Sequence, residues 1–190
     1  MKELPVRKQM RLKDYDYSRE GAYFLTLCIE NRHEILSQIV GAGFSRPLET
    51  TLPNEINVSP NETITVQLSL SPYGNIVERY IKQINIKYPH ADIDKYVIMP
   101  NHVHMILVIS NDTGSGRENP APTVTVSSIV GWLKYHTTVE MNDLNGGTIE
   151  KIWQRSYHDH IIRNKNEHEE IWQYIENNPL KWEQDKYYIL

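Results

Sequence analysis

Two pairs of histidines stand one residue apart in this chain. His102 and His104 lie within KYVIMPNHVHMILVI, residues 95 to 109, and His158 and His160 lie within SYHDHIIR. Imidazole carries protons near neutral pH and ligates metals, so two rings on one surface make a candidate metal or acid–base site. In an extended strand residues i and i+2 face the same way, and each pair therefore projects together. His102 and His104 are embedded in apolar residues, where an imidazole removed from water needs a hydrogen-bond partner or a shared cation. A satisfied core pair and a metal-binding pair both meet that need, and a metal would require a third ligand from elsewhere in the chain. His158 and His160 enclose Asp159 and precede Arg163, which suits a phosphate contact or a surface position equally. Spacing alone does not choose between the pairs.

A second arrangement lies in NEHEEIWQYIENNP, where Tyr174 and Asn178 are four residues apart and share a helix face, beside an apolar stripe of Ile171, Trp172 and Ile175. A tyrosine on such a helix is usually an amphipathic packing residue. With 12 tyrosines in the chain, residue type singles out none.

These residues need elements to position them. AYFLTLCIE (22 to 30) and TITVQLSL (63 to 70) read as strands, and SPYGNIVERYIKQINIKYP places Ile76, Val77, Tyr80, Ile81 and Ile84 at helical spacing. Two strands follow, IDKYVIM and HVHMILVI, joined by Pro100 and Asn101 as a tight turn. On the second strand Val103, Met105, Leu107 and Ile109 face away from the histidines, while Ile106 and Val108 continue the histidine side. VSSIVGWLKYHTTVEMNDL reads as a helix with Ser127 or Ser128 near its start, IWQRSYHDHIIR as a further strand, and NEHEEIWQYIENN as a helix ended by Pro179. This order predicts an α+β layer on an antiparallel sheet. Residues 41 to 62, rich in Gly, Pro, Asn and Ser, read as an insertion, and residues 110 to 123 as a flexible loop, within a single domain spanning 1 to 190.

Composition bounds the remaining possibilities. A chain of 190 residues with 39% hydrophobic content supports one core. Cys28 is the single cysteine, so no internal disulfide forms and a reducing compartment is expected. No run approaches the roughly 18 apolar residues of a membrane span, and the expectation is a soluble, cytoplasmic protein. A net charge of −4 gives no support to a protein that coats nucleic acid non-specifically through charge. The N-terminus is nevertheless basic, with Lys2, Arg7, Lys8, Arg11 and Lys13 followed by Tyr15, Tyr17 and Tyr23, a mixture that suits single-stranded nucleic acid or a solvated basic tail.

Taken together, MPNHVHMIL, the opening RLKDYDYSREGAYFLTLCIENR and the closing WQRSYHDHIIRNKNEHEEIWQYIENNPLKW resemble the single-tyrosine HUH transposases, in particular the REP-associated, IS200-like branch. The resemblance covers most of the chain outside 41 to 62 and 110 to 123. It implies a ferredoxin-like (RRM-like) fold and metal-dependent cleavage and rejoining of single-stranded or hairpin DNA through a 5′-phosphotyrosine intermediate. Residue by residue it implies that His102, His104 and Asn178 hold a divalent metal, Mg²⁺ or Mn²⁺, and that Tyr174 is the nucleophile. Arg11, Lys13, Tyr15, Tyr17, Lys134, Arg155, His158, His160 and Arg163 are candidates for DNA contact. The chain acts alone or as a homodimer, without a membrane partner. A module of the same fold that binds single strands without cutting them is the alternative.

Overall fold

A computed structural model of the chain describes residues 16–40, 66–110, 124–148 and 150–188. Four strands form one antiparallel sheet: β1 (Gly21–Cys28), β4 (Ala91–Ile98), β5 (His102–Ile109) and β6 (His158–Ile162), in the order β4-β5-β1-β6. Helix α1 (Pro72–Ile81) lies between β1 and β4 in the chain, and α3 (Val126–Leu144) between β5 and β6. Each helix thus connects two parallel, non-adjacent strands, which is the split βαβ arrangement of a ferredoxin-like fold. The α+β, ferredoxin-like expectation holds.

The two central strands explain the apolar run around the histidines. β5 is covered on both faces, and only Val108 among its residues is less than fully buried. On one face Tyr23, Leu25 and Leu27 of β1 join Val103, Met105, Leu107 and Ile109 of β5. That face packs against Ile76, Val77 and Ile81 of α1 and Ile129, Val130 and Leu133 of α3. Each such fully buried aliphatic side chain contributes roughly 1.5–3 kcal/mol. The other face carries Cys28, Thr26 and Phe24 of β1 opposite His102, His104 and Ile106 of β5. Helix α4 (Lys165–Asn177) covers part of it, burying Ile175 with Val97, Met99, Ile106 and Trp182. His102 and His104 therefore belong to a second, smaller core beneath α4.

Local chemistry sets the element ends. Ser71 Oγ accepts from Gly74 N–H at 3.0 Å and Pro72 opens α1, an N-cap followed by a proline where no N–H is needed. Thr125 is the N-cap of α3 and Ser128, one of the serines expected near its start, completes a capping box with it. The helix expected through residue 87 breaks after Ile81, and α2 (Ile84–Lys87) is a separate short turn.

Of the strand expected at 63 to 70, Gln67–Leu70 (β3) is among the described residues, and it pairs antiparallel with Ser37–Val40 (β2), a strand too short to stand out by alternation. The expected strand from Ile152 is confined to His158–Ile162, because Trp153 makes only an isolated bridge to Ile29. The insertion at 41 to 62 lies outside the described residues, as does the loop at 110 to 123 apart from Ser110; β2 and β3 flank the former. Among the described residues no helix is long and apolar enough to cross a membrane.

Candidate metal and nucleophile site

The turn between β4 and β5 delivers the first ligand candidate in a fixed orientation. Met99 N–H donates to His102 O at 2.9 Å, closing the turn over Pro100 and Asn101. Asn101 is fully buried, and its Nδ2 donates to Tyr187 O at 2.9 Å and Arg32 O at 3.3 Å. Its Oδ1 is thereby left to accept from His102 Nδ1–H at 2.9 Å. His102 Nε2 then carries a lone pair, and this buried atom has no hydrogen-bond partner.

His104 is held in the same way, one register position along. Thr26, its cross-strand partner on β1, places Oγ1 2.8 Å from His104 Nδ1. Assigning the Nδ1 proton to that bond leaves Nε2 with its lone pair, and the His102 ring centroid is 4.4 Å away. Burial holds both imidazoles in the neutral, ligating form. His102 is pushed down to about 3 by desolvation, with Lys186 and Arg32 adding to the effect, and His104 lies well below the usual histidine range for the same first reason.

Helix α4 brings the phenol. Asn164 caps it by accepting from Glu167 N–H at 2.9 Å, and it is fastened to β4 by the Lys95–Glu176 ion pair, by Lys95 Nζ 4.0 Å from the Trp172 ring centroid, and by His168–Asp94 at 3.0 Å. Tyr174 thus stands over the sheet with its edge against Phe24 at 6.0 Å. Its hydroxyl lies 3.3 Å from His104 Nε2 and 3.3 Å from Asp185 Oδ2. Burial and the Asp185 carboxylate push the phenol upward, so it is held protonated.

Asp185 is the participant that sequence reasoning missed. It follows the 3-10 turn Pro179–Gln184, which the buried Trp182 anchors 5.9 Å from the His102 ring, so the chain folds back over the histidines. KWEQDKYY has no periodicity that would mark the aspartate. Its Oδ1 accepts from Tyr187 N–H at 2.7 Å and its Oδ2 from Asn178 Nδ2–H at 2.8 Å. His102, His104 and Asp185 each offer a ligand atom, all within 4.8 Å of one another. Asn178 is 2% exposed and its Oδ1 is buried without a partner. Two orphaned buried acceptors, His102 Nε2 and Asn178 Oδ1, beside a second neutral imidazole and a carboxylate make a donor set that fits a divalent cation, since the two orphans otherwise remain desolvated lone pairs without a match. The site opens into a cleft of about 780 Å³ lined by Phe24, Tyr174, Asn178, Lys181, Asp185 and Lys186.

The remaining sequence candidates scatter. Arg11, Lys13 and Tyr15 lie outside the described residues. Tyr17 packs against Tyr23, 6.1 Å between centroids, on the far face of the sheet. Lys134 donates to Gln154 O and Ser156 O, both at 2.9 Å, tying α3 to the segment before β6; burial lowers it to about 8. Arg155 is exposed on a separate cavity beside α3. His158 and His160 share the face of His104 through the register Thr26↔His158 and Phe24↔His160. His160 pairs with Glu167 at 2.7 Å, while Arg163 is exposed and its backbone N–H donates to Glu167 at 2.6 Å. The second histidine pair is therefore on the sheet edge, outside the buried cluster.

Comparison with known proteins fits this geometry. Residues 70–178 match the family described as transposase IS200 like, a span that includes both histidines, Tyr174 and Asn178. An uncharacterized protein of Haemophilus influenzae is 30% identical over 192 residues, covering 96% of this chain and 93% of its own. Among solved structures, a REP-associated tyrosine transposase bound to a REP hairpin is similar in fold, with a TM-score of 0.55 at 18% identity over 93% of this chain and 77% of that one.

Proposed function

We propose, from the premise that this chain belongs to the IS200-like transposase family, that it cleaves and rejoins single-stranded DNA at hairpin or repeat sequences, using Tyr174 as nucleophile and a divalent metal. The observation that carries the reading is the convergence of Tyr174 Oη, His104 Nε2 and the Asp185 carboxylate within 3.3 Å contacts at the floor of an open cleft. The hairpin as substrate form is supported by the structurally similar transposase bound to a REP hairpin.

His102 Nε2, His104 Nε2, the Asp185 carboxylate and Asn178 Oδ1 would hold the cation. A mixed nitrogen and oxygen set with a carboxylate suits Mg²⁺ or Mn²⁺. Such an ion supplies polarisation of the scissile phosphate and offsets the charge that otherwise opposes ionisation of Tyr174. The chain's own groups do the rest. Phe24 and the docked α4 hold the phenol ring, so its oxygen approaches phosphorus from one side. Asp185 Oδ2 accepts the phenol proton as the Oη–P bond forms. The bond from phosphorus to the 3′-oxygen breaks and that oxygen takes up a proton from water, leaving a 5′-phosphotyrosine and a 3′-hydroxyl. Because the phosphoester is conserved, a 3′-hydroxyl can attack it in reverse and no nucleotide triphosphate is needed.

The test is incubation of labelled single-stranded hairpin DNA with the protein and Mn²⁺ or Mg²⁺, followed by a denaturing gel. Wild type should give a covalent protein–DNA band, and mass spectrometry should place the adduct on the peptide containing Tyr174. Tyr174→Phe should give no band while still binding metal. A band that persists in this variant moves the nucleophile to another tyrosine. A wild type that binds such DNA yet never forms the band on any hairpin tried supports a non-catalytic single-strand-binding module instead.

A further inference from the structure

We propose that Arg32 and Lys186 form a clamp for a backbone phosphate of single-stranded DNA, built on the ring of Tyr187 at the rim of the cleft. The inference rests on the reading of the cleft as a DNA site and names a contact within it that neither sequence motifs nor family comparison assigns.

Tyr187 is 3% exposed and packs its ring 4.6 Å from His102 and 5.9 Å from His104, so it is fixed by the metal-site core itself. Two cations use this ring as a platform. Arg32 Cζ lies 5.4 Å and Lys186 Nζ 4.9 Å from its centroid. Arg32 Nη1–H donates to Lys186 O at 3.2 Å, which links the two carriers to each other. Among the described residues the rest of the guanidinium's donor fork is unmatched and neither cation takes part in an ion pair. The nearest acidic group in sequence, Asp185, has its oxygens turned to Tyr187 N–H, Asn178 and Tyr174. Two positive charges beside one ring, neither of them in an ion pair among the described residues, are complementary to an anion that arrives with the substrate. Lys186 lines the cleft that holds Tyr174, so the anion and the nucleophile share one solvent space.

The backbone adds a second, independent observation. Asn31 and Arg32 have φ of 53° and 55°, consecutive left-handed positions. Asparagine tolerates this conformation, whereas arginine carries a steric penalty that glycine would not. Asn101 Nδ2 holds the strained turn by donating to Arg32 O at 3.3 Å, the same amide that orients His102. Backbone strain retained at a residue is a feature of functional positions.

The test measures binding of a fluorescein-labelled single-stranded oligonucleotide by anisotropy in EDTA, from about 50 to about 200 mM salt. Arg32→Gln and Lys186→Gln should each weaken binding, and the double variant should reduce the slope of log affinity against log salt by about 0.7, the value for one lost phosphate contact on a single strand. Lys87→Gln, an exposed cation of α2 on the other side of the sheet, should change neither. Arg32→Gly should bind as poorly as Arg32→Gln while its melting temperature stays equal or rises, because glycine relieves the left-handed backbone. Slopes unchanged from a wild type that cleaves DNA overturn the clamp and leave the proposed function standing. Slopes that fall in a protein that never forms a covalent adduct support the clamp and remove the nuclease reading. A wild type that does not bind the oligonucleotide overturns both.

Discussion

Replacing Asp185 by asparagine tests the participant that only the folded chain reveals. The carboxylate accepts from Tyr187 N–H at 2.7 Å, Asn178 Nδ2–H at 2.8 Å and Tyr174 Oη–H at 3.3 Å. Asparagine keeps an oxygen for Tyr187 but presents an NH₂ group where Oδ2 stood, facing the NH₂ of Asn178. Hydrogen bonds to a buried charged acceptor contribute about 1.5–3 kcal/mol each; Asp185 is half-buried and the Tyr174 contact is long, so the net loss should be about 1–2 kcal/mol. For a chain of 190 residues that corresponds to a melting temperature lower by about 2–8 °C, a destabilised but folded protein. The effect on the cation should be larger. Second-layer partners of metal ligands already matter by about 10–100-fold in affinity, and a direct carboxylate ligand should matter at least as much. Titration calorimetry with Mn²⁺ should therefore show a Kd raised by about 10–100-fold or more. Covalent adduct formation should fall with it. Binding of single-stranded DNA in EDTA should hold or strengthen, because a negative charge beside Lys186 is gone. If Mn²⁺ binds the variant as it binds wild type while His102→Ala abolishes binding, Asp185 is not a ligand, and the set reduces to the two histidines and Asn178.

Other perturbations probe the supports. His102 has a folded pKa of about 3 against an ordinary value of 6.5, and His104 is shifted the same way, so between these limits the unfolded chain binds more protons than the folded one. Stability of the metal-free protein is therefore full above pH 6.5 and declines as pH falls, by about 1.4 kcal/mol per unit for each histidine; urea midpoints from neutral to mildly acidic pH should show the slope, and a flat profile would refute the burial argument. Asn101→Ala removes the acceptor for His102 Nδ1–H and the donor to Tyr187 O and Arg32 O, and should weaken Mn²⁺ by about 10–100-fold in calorimetry with His102 itself intact. Gly74→Ala would set a Cβ 2.1 Å from Leu36 O, where α1 crosses the end of the segment leading into β2, and should lower stability by about 1–3 kcal/mol in denaturant titration without altering metal affinity.

The sequence by itself determined the parts of this protein that follow from local periodicity. Alternation on HVHMILVI put His102 and His104 on one face, the Pro100–Asn101 pair made the hairpin, and the four-residue spacing put Tyr174 and Asn178 on one side of α4. Each depends only on the backbone repeat of a single element. What the tertiary structure decided was everything that relates one element to another. The two histidine pairs were equivalent in sequence and became unequal in the fold, because β5 is central and covered by α4 while β6 is an edge strand open to solvent. Likewise the strand at Gln67–Leu70 found its partner in Ser37–Val40, not in the main sheet, since pairing is chosen by long-range register and not by alternation. Asp185, Thr26, Asn101, Arg32 and Lys186 come to the site from a 3-10 turn's end, a central strand, a hairpin turn, a left-handed turn and the chain's last described segment. No periodic pattern marks such positions. Their roles arise from distances between segments far apart in sequence, which only the packing of the second core under α4 brings to zero.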